Sequence, residues 1–417
     1  MTGGRRRRRL LFLLPFAPRL DATHGGSRVI AELLYELTGR HEVAIVYLRA
    51  RDEPPLDKSL RGRCRVDAEV ERPPIAGSVR RRVRRSVVRG IGLLRREPVW
   101  VGDWRVPEFD EQVRRVALSW APDIVQVEYH VMAQYLSVLE GVSALRVLVP
   151  HEAGAEAASA QWRSSRGMAR PLRRLDARAW ETFERRILQQ VDAVVAFTER
   201  DREALARRAP GTSTFRIPFA TRLPDSPLDP VGRRPPTIVF VGSFSHPPNV
   251  EAAVRLATSI HPRVRRRIPD ARLLLVGDTP SKKVERLRDT SVLVTGRVAD
   301  VVPYLDAAAV VAAPVRLGGG MRVKVVEALA YGKALVASRL ALEGLDVTHG
   351  EEVLVAESDE DFSDALVGLL RDERRRGELA MRARLWATVN LSWERTADLY
   401  DDLYEELLEP PDGPAPR

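Results

Sequence analysis

The chain has 417 residues, and this length predicts two domains of about 200 residues rather than a single core. A hydrophobic fraction of 44% and a charged fraction of 30% are typical of globular proteins and exclude a disordered chain. The single cysteine, Cys64, excludes an internal disulfide and a thiolate metal cluster, which suits a reducing compartment. The net charge is +10, and almost all of the positively charged side chains are arginines. Because no nucleic-acid-binding module is recognisable, no nucleic-acid partner is expected.

The first half of the chain alternates short apolar runs with helical patterns. Arg5 to Arg9 followed by Leu10 to Leu14 imitates a signal peptide, but Pro15 interrupts the apolar run and no convincing cleavage site follows. We interpret this run as the buried first strand of a parallel sheet. A helix is predicted from Gly26 to Leu37, and Thr198 is expected to cap another. Further strands are predicted at Val43–Leu48, Ile124–Glu128, Arg146–Val149 and Ala193–Phe197.

A proline-rich stretch then separates this half from a second series of apolar runs. The boundaries predict a first domain at 1–218, a linker at 219–235, a second domain at 236–392, a helix at 393–408 able to pack back on the first domain, and a flexible tail at 409–417. Strands of the second domain are predicted at Ile238–Val241, Leu273–Val276, Val292–Val294, Val310–Ala312, Leu335–Ala337 and Val353–Val355.

Repeated βα units require parallel sheets, so the expected fold is α/β, with two doubly wound, Rossmann-like domains facing each other across a cleft. Ligands bind where the carboxyl ends of such strands meet helix N-termini, and the function is expected in that cleft. No segment approaches the roughly 18 uninterrupted apolar residues of a membrane span.

The strongest motif runs from Ala313 to Gly332. A strand ends near Pro314, three glycines follow at Gly318, Gly319 and Gly320, and a helix begins near Met321. Glycines allow close approach of an anion, and free amides at a helix start bind phosphate. Arg322 and Lys324 add positive charge at the expected diphosphate position, and Glu327 is placed to accept hydrogen bonds from a ribose diol. A flexible turn with surface charges is the alternative.

This segment resembles the donor-binding signature of retaining glycosyltransferases of family 4, in a Gly-Gly-Gly-x-Arg-x-Lys-x-x-Glu variant. The resemblance implies the two-domain GT-B fold, a nucleotide-sugar donor as co-substrate and no resident cofactor. Glu327 matches the second glutamate of the family's usual motif. The first glutamate, which the family uses to position the donor sugar, falls at Gly319, so its role would pass to the amides of Gly319, Gly320 and Met321.

Other stretches resemble the same family in order and spacing. Gly242 and Ser243 follow the first strand of the donor domain, where many members carry an arginine; Ser243 replaces it, and Arg322 and Lys324 are candidates to compensate. Gly296 and Val298 match the loop whose backbone meets the nucleobase, although a plain turn explains them as well.

In the first half the resemblance is looser. Gly25 and Gly26 match a glycine loop that approaches the donor phosphate or sugar, with a simple helix start as the alternative. His151 ends a strand where family members keep a histidine that reaches a sugar hydroxyl or the reaction centre. His130 is a weaker candidate that fits a structural histidine better.

Arg80 to Arg96 reads as a basic helix with an uneven apolar stripe. Such a helix fits either a peripheral contact with an anionic membrane or an arginine-rich surface of the acceptor domain. The expected location is cytoplasmic, with peripheral attachment to the inner face of the membrane as an extension.

The function predicted from these features is metal-independent transfer of a sugar, with retention, from a nucleotide sugar to a hydroxyl of a glycan, a lipid-linked acceptor or a small molecule. No Asp-x-Asp pair stands at a strand end to hold a cation. The alternatives are a nucleotide-sugar epimerase or phosphorylase of similar fold, and a catalytically inactive sugar-binding scaffold. The sugar, the base and the acceptor are not specified by the sequence.

Overall fold

The computed structural model describes residues 6–22, 25–73, 92, 96–165, 167 and 170–409. The chain divides into two compact units. Unit 1 comprises Met1–Pro218 together with Thr396–Arg417, and unit 2 comprises Phe219–Arg395. Each unit is an α/β domain built on its own parallel sheet.

Within the described residues, unit 1 contains a seven-stranded sheet in the order β3-β2-β1-β4-β5-β6-β7. Its strands are β1 Arg9–Leu14, β2 Glu42–Arg49, β3 Val66–Glu71, β4 Ile124–Glu128, β5 Leu145–Val149, β6 Ala193–Ala196 and β7 Ser213–Arg216. The accompanying helices are α1 Gly25–Arg40, α2 Lys58–Arg61, α3 Val99–Gly102, α4 Pro107–Trp120, a 3₁₀ segment at His130–Leu139, α5 Gly154–Ser164, α6 Arg170–Leu188 and α7 Glu199–Arg208. The run Leu10–Leu14 is fully buried in β1, as expected for a central parallel strand.

Unit 2 contains a six-stranded sheet in the order β10-β9-β8-β11-β12-β13 within the part of the chain described. Its strands are β8 Thr237–Val241, β9 Arg272–Val276, β10 Val292–Val294, β11 Val310–Ala313, β12 Leu335–Ala337 and β13 Leu354–Val355. Its helices are α8 Pro247–Arg255, a turn of wider π geometry at Leu256–Ile260, α9 His261–Arg267, α10 Lys282–Glu285, α11 Val302–Ala307, α12 Val323–Ala330, a 3₁₀ turn at Arg339–Leu342, α13 Asp359–Arg371 and α14 Glu373–Asn390. The last helix, α15 Trp393–Leu408, begins in unit 2 and continues into unit 1.

Both sheets are doubly wound, which confirms the predicted fold class. In each sheet successive strands are first added to one side of the first strand and then to its other side. The change of side falls between β1 and β4 in unit 1 and between β8 and β11 in unit 2. At such a reversal the loops leave the sheet in opposite directions and open a crevice at the carboxyl edge. The crevice of each unit is therefore where its functional side chains are to be sought.

The predicted strands and the Thr198 cap all appear, with the cap accepting a hydrogen bond from the Asp201 amide at 3.1 Å. Two strands that were not predicted, β3 and β7, form the edges of the unit 1 sheet.

The proline-rich stretch 219–235 was expected to be a linker, but the structure fixes it to unit 2. Lys333, which is fully buried, donates hydrogen bonds to the carbonyls of Asp229 and Asp306, and the Leu228 amide donates to the Tyr331 carbonyl at 2.9 Å. Burial lowers the pKa of Lys333 to about 8. The buried ammonium thus links the Asp229 carbonyl of this irregular segment to the Asp306 carbonyl in the last turn of α11.

The portion of α15 that belongs to unit 1 is attached by charged side chains. The Asp401 carboxylate lies 2.7 Å from His41 Nε2 and 2.7 Å from Arg40 Nη1, and Arg40 Nη1 also donates to Asp398 Oδ1 at 2.6 Å. Asp401 and His41 are buried, so their pairing lies inside unit 1 and holds the helix in place. Among the described helices, none combines the length and the apolar character needed to cross a bilayer.

Candidate functional sites at the carboxyl edges of the two sheets

The first loop of unit 2 brings two glycines into backbone contact. Gly242 follows β8 and Gly277 follows β9, and the Gly242 amide donates to the Val276 carbonyl at 2.9 Å. A Cβ placed on Gly277 would lie 2.0 Å from the Gly242 carbonyl oxygen. The Ser243 hydroxyl meets that of Ser245 at 2.7 Å. The position of Gly277 is therefore open only to glycine, and this close contact holds the turn after β8 against the end of β9 at the switch point.

Lys324 reaches into this same turn from α12. Its ammonium donates a hydrogen bond to Asn249 Oδ1, lies 4.4 Å from the centroid of the Phe240 ring, and would lie 2.9 Å from a Cβ placed on Gly242. Asn249 Nδ2 in turn donates to the Ser243 carbonyl at 2.8 Å. Lys324 is thus linked through Asn249 to the turn that carries Ser243, and its role as a substitute for the missing arginine stays a prediction.

The environment of Lys324 makes its charge costly. Burial and the neighbouring Arg322 lower the pKa of Lys324 to about 7, while Glu327 acts in the opposite direction. A cation held in this state gains most from an anion placed beside it, because the anion restores the charged form.

The triglycine loop that precedes α12 is braced by Arg322. The guanidinium donates to the carbonyls of Gly319 and Gly320, the latter at 2.6 Å, and to that of Leu317 at 3.4 Å. Gly318 and Gly320 have φ values of 94° and 71°, which glycine adopts without strain. In the structure the Arg322 guanidinium therefore braces the loop, and its predicted contact with a diphosphate stays a prediction.

The strand end before this loop is held by further side chains. Arg255, which is buried, donates to the Pro314 carbonyl at 3.0 Å and pairs with Asp359 at 2.7 Å. The Ser338 hydroxyl donates to the Val315 carbonyl at 2.6 Å. The loop therefore starts from a fixed point, and its geometry is set before any ligand arrives.

Four further predicted residues lie near the same carboxyl edge. Glu327 lies one helical turn after Arg322 and is 9% exposed. Gly296 follows β10 with a φ of 74° and forms a bridge with Gly277, which brings this loop beside the Gly242 turn. Val298 is half-buried two residues further on. Met321 is buried between the loop and α12.

In unit 1, His151 forms a hydrogen-bonded pair with Glu128. His151 Nε2 lies 2.7 Å from Glu128 Oε2, and the two side chains are 11% and 2% exposed. Glu128 ends β4 and His151 follows β5, so neighbouring strands deliver both groups to one edge. A histidine backed by a buried carboxylate is held in one orientation, which is what a hydroxyl-binding or proton-handling group requires.

Aromatic rings surround this pair. The Tyr129 ring stacks on His151 with centroids 3.8 Å apart and an interplanar angle of 7°, and Phe197 meets the imidazole edge-on at 5.0 Å. Phe16, which follows β1, contacts Tyr129 at 5.5 Å. Tyr129 and His151 have φ values of 68° and 70°. Positive φ values are costly for residues other than glycine, and two such residues stacked on each other are characteristic of a functional site.

Gly25 and Gly26 begin α1 after β1 in the same unit. The next residue, Ser27, donates to the Ala17 carbonyl at 3.2 Å and accepts from the Arg19 amide at 3.1 Å. The start of α1 is thereby attached to the loop that leaves the central strand.

His130 is separate from the His151 pair and has a structural role. It is fully buried, accepts a hydrogen bond from the Gly154 amide at 3.2 Å, lies 3.3 Å from Glu184 and meets Trp180 edge-on at 5.3 Å. Arg208 balances the Glu184 charge at 3.1 Å.

Asn249, Glu128 and Tyr129 were not predicted from the sequence. Each joins the sites through a contact to a residue distant in the chain. Tyr129 directly precedes His130 and Glu128 ends a predicted strand, so the position of Glu128 at a strand end was the one signal available.

Comparison with known proteins places these features in a class. Residues 235–372, which lie within unit 2, match the sequence model of the family Glycosyl transferases group 1. A stretch of 155 residues is 21% identical to an uncharacterized 44.6 kDa protein in the cps region of Klebsiella pneumoniae, and this match spans 35% of the present chain and 40% of that protein.

Solved structures resemble nearly the whole chain. Sucrose-phosphate synthase from Thermosynechococcus elongatus has a TM-score of 0.71 at 18% identity, over 96% of this chain and 99% of that one. Anabaena HepE in complex with UDP-glucose has a TM-score of 0.63 at 14% identity, over 96% and 100%. An Escherichia coli trehalose-6-phosphate structure bound with UDP-2-fluoro glucose has a TM-score of 0.62 at 12% identity, over 95% and 99%. At these identities the likeness shows the fold.

The fold is therefore GT-B, with two Rossmann-like domains. The family match in unit 2 and the structural neighbours support a glycosyltransferase.

Proposed function

We propose that the protein transfers a sugar from a nucleotide sugar to a hydroxyl acceptor, with retention, in the manner of family 4 glycosyltransferases. The observation that supports this most is the position of the Lys324 ammonium, which reaches the Gly242 turn at the switch point of unit 2. It lies beside a rigid triglycine loop at the start of α12.

These groups suit a nucleoside diphosphate. The loop amides and the start of α12 supply hydrogen-bond donors, and Lys324 supplies the positive charge for the pyrophosphate. Negative charge grows on the diphosphate as the glycosidic bond breaks, so preorganised donors at this place stabilise the transition state more than the ground state. Glu327 would bind the ribose diol, and the backbone around Gly296 and Val298 would meet the base.

UDP is the nucleotide we propose as donor carrier. The HepE structure holds UDP-glucose and the Escherichia coli structure holds UDP-2-fluoro glucose, and both resemble this chain along nearly its full length. Gly319 stands at the position of the first motif glutamate, so the sugar would be held by the amides of Gly319, Gly320 and Met321.

In unit 1, we assign the acceptor hydroxyl to His151. Its imidazole has a fixed orientation from Glu128 and a stacked tyrosine, so it can accept or donate one directed hydrogen bond. The acceptor would be a glycan, a lipid-linked sugar or a small molecule. Gly25 and Gly26 would contact the donor phosphate or sugar.

The transfer is proposed to need no resident cofactor and no metal ion, because Lys324 and the amides take the place of a cation at the diphosphate. Adding EDTA should leave the turnover unchanged. A loss of activity that Mg²⁺ or Mn²⁺ restores would contradict this part of the proposal.

The central experiment is a titration with UDP followed by product analysis with UDP-sugars and an acceptor panel. Lys324→Ala and Glu327→Ala should weaken UDP binding. Arg322→Ala should weaken it less, because the Arg322 guanidinium donates its hydrogen bonds to loop carbonyls. Lys282→Ala, an exposed lysine in the same unit, is the matched control and should bind as the unaltered protein does. Unchanged UDP affinity in all three site variants would contradict the assignment.

Product analysis separates the other functions. Conversion of the donor alone into an isomer would indicate an epimerase, and consumption of donor with inorganic phosphate a phosphorylase. Donor binding without turnover against the whole panel would indicate an inactive scaffold.

We also propose a cytoplasmic location with peripheral attachment to anionic membrane through Arg80–Arg96, a segment largely outside the described residues. If so, vesicles containing phosphatidylglycerol should sediment the protein at low salt, and arginine-to-glutamine changes in this segment should abolish sedimentation. The exposed Leu172 and Leu175 on the basic helix α6 provide a comparison: if Leu172→Ser with Leu175→Ser abolishes sedimentation instead, the contact lies on α6.

A further inference from the structure

A continuous line of buried hydrogen bonds joins the C-terminal helix to His151. The Tyr404 hydroxyl donates to Gln126 Oε1 at 2.5 Å, Gln126 Nε2 donates to Glu128 Oε1 at 2.6 Å, and Glu128 Oε2 lies 2.7 Å from His151 Nε2. Tyr404, Gln126 and Glu128 are 1%, 0% and 1% exposed. All four residues belong to unit 1, and Tyr404 stands 278 positions from Gln126.

The donors and acceptors of the first two hydrogen bonds in this line are fixed by chemistry. Burial raises the pKa of the Tyr404 hydroxyl far above its ordinary value, so Tyr404 keeps its proton and acts as the donor. An amide oxygen can only accept, so Gln126 turns its oxygen to Tyr404 and its NH₂ to Glu128. The third hydrogen bond joins Glu128 and His151, and its hydrogen sits on His151 Nε2 when Glu128 is a carboxylate, because a carboxylate only accepts.

We propose that α15 acts through this line to set the tautomer of His151. Tyr404 and Gln126 are positioning residues that orient Glu128, Glu128 holds the Nε2–H form, and the neutral ring then presents Nδ1 as a hydrogen-bond acceptor. Within the described residues the hydrogen bond of this ring is to Glu128 alone. The role of Nδ1, accepting a hydrogen bond from the acceptor hydroxyl, rests on the proposed function; the tautomer does not.

The line can be broken without detaching the helix. Asp401 and Asp398 hold α15 through His41 and Arg40, independently of Tyr404. Tyr404→Phe removes one hydroxyl and keeps the ring that packs in the core. Tyr47→Phe is the matched control, because Tyr47 is also a buried tyrosine of unit 1 whose hydroxyl donates a hydrogen bond, here to Glu69 at 3.1 Å and outside the line to His151.

The tautomer is read by long-range ¹H–¹⁵N NMR of histidine-labelled protein at a pH where the ring is neutral, with His151→Asn to assign the signals. The unaltered protein and Tyr47→Phe should show the Nε2–H form. In Glu128→Gln, the Gln126 NH₂ still requires an acceptor, so the new amide must turn its oxygen to Gln126 and its NH₂ to His151. This arrangement should move the hydrogen to Nδ1.

The double variant Tyr404→Phe with Glu128→Gln tests the part played by the helix. Gln126 then loses the hydrogen bond from Tyr404 and keeps only its contact with the Tyr400 hydroxyl, so its amide can rotate more freely. The His151 signals should therefore shift from the Nδ1–H form toward a mixture of tautomers. If Glu128→Gln leaves the Nε2–H form in place, or if the double variant matches Glu128→Gln, the proposal is overturned. A shift in Tyr47→Phe equal to that in the double variant would overturn it as well.

Kinetics provide a second, separate readout. Glu128→Gln should lower kcat for transfer about 10- to 100-fold, the size of effect usual for a partner that orients a functional histidine. UDP affinity, which depends on unit 2, should not change. If the tautomer responds as described but neither the unaltered protein nor any variant transfers a sugar, the proposed function is wrong and the role of the hydrogen-bonded line stands. If transfer is found and the tautomer does not respond, only the role of the line is wrong.

Discussion

The two candidate sites use different materials for different kinds of ligand. The unit 2 site consists of glycine backbone, a helix start and the Lys324 cation, while the unit 1 site consists of an imidazole, a buried carboxylate and stacked rings. Amides and a cation distribute positive potential over several oxygens, which suits a diphosphate. A single oriented imidazole suits one neutral hydroxyl. Under the proposed function, unit 2 would supply most of the binding energy for the donor, and unit 1 the directional contact to the acceptor hydroxyl.

The sharpest way to break this comparison is to remove one functional group from each unit. Lys324→Met should weaken donor use about 100- to 1000-fold, because it removes a charge aimed at the leaving group. His151→Asn should lower transfer by about 100-fold or more and leave UDP affinity as it was. Calorimetric UDP titration and initial rates measure the two effects. Loss of UDP binding in His151→Asn would show that the division of labour is wrong.

The pH dependence of UDP binding should expose Lys324. Its pKa of about 7 in the unliganded protein rises when a diphosphate stands beside it, so binding above pH 7 takes up a proton. Affinity should therefore fall by up to about tenfold per pH unit as the pH rises from about 7 to about 9. Titrations in buffers of different ionisation enthalpy measure the proton uptake. Lys324→Met should abolish it, and a pH-independent affinity in the unaltered protein would contradict the prediction.

Arg322→Lys should have a smaller effect, about tenfold on the donor KM. Lysine keeps the charge but cannot reach three loop carbonyls at once, so the triglycine loop loses its brace. Because the charge itself is retained, the proton uptake on binding should persist. A loss as large as that of Lys324→Met would mean that Arg322 contacts the diphosphate directly.

The smallest expected effect is on stability. Gly277→Ala places a Cβ 2.0 Å from the Gly242 carbonyl oxygen, a backbone atom that cannot rotate away. We expect a loss of about 1–3 kcal/mol in the free energy of unfolding, seen as several degrees in Tm. Gly377→Ala, in the same unit, has no atom within 4 Å of the new Cβ and should not lower Tm. Equal changes in both would contradict the contact.

The fold was predictable where burial is complete. Central strands such as β1 and β11 are apolar on both faces, so a continuous run of apolar residues marks them. The edge strands β3 and β7 carry polar residues at alternate or most positions, and no such run exists there. The sequences of these two strands therefore resemble those of loops.

The sites were predictable to the extent that they are local. The triglycine loop and Lys324 lie within one short stretch, and motif spacing is enough to identify them. Glu128 and Tyr404 meet His151 and Gln126 only after the chain has folded, so no spacing could pair them. The aim of the Arg322 guanidinium depends on loop carbonyls, which a residue pattern does not describe.

The attachment of α15 to unit 1 has a consequence for how the protein is made. A ribosome releases residues 1–218 of unit 1 first, then unit 2, and only afterwards α15, whose Tyr404 contacts Gln126. Until α15 emerges, Gln126 and Glu128 lack the helix that covers them, so unit 1 cannot complete its interior. A chain that stops before α15, even after both sheets are synthesised, would therefore leave unit 1 incompletely folded.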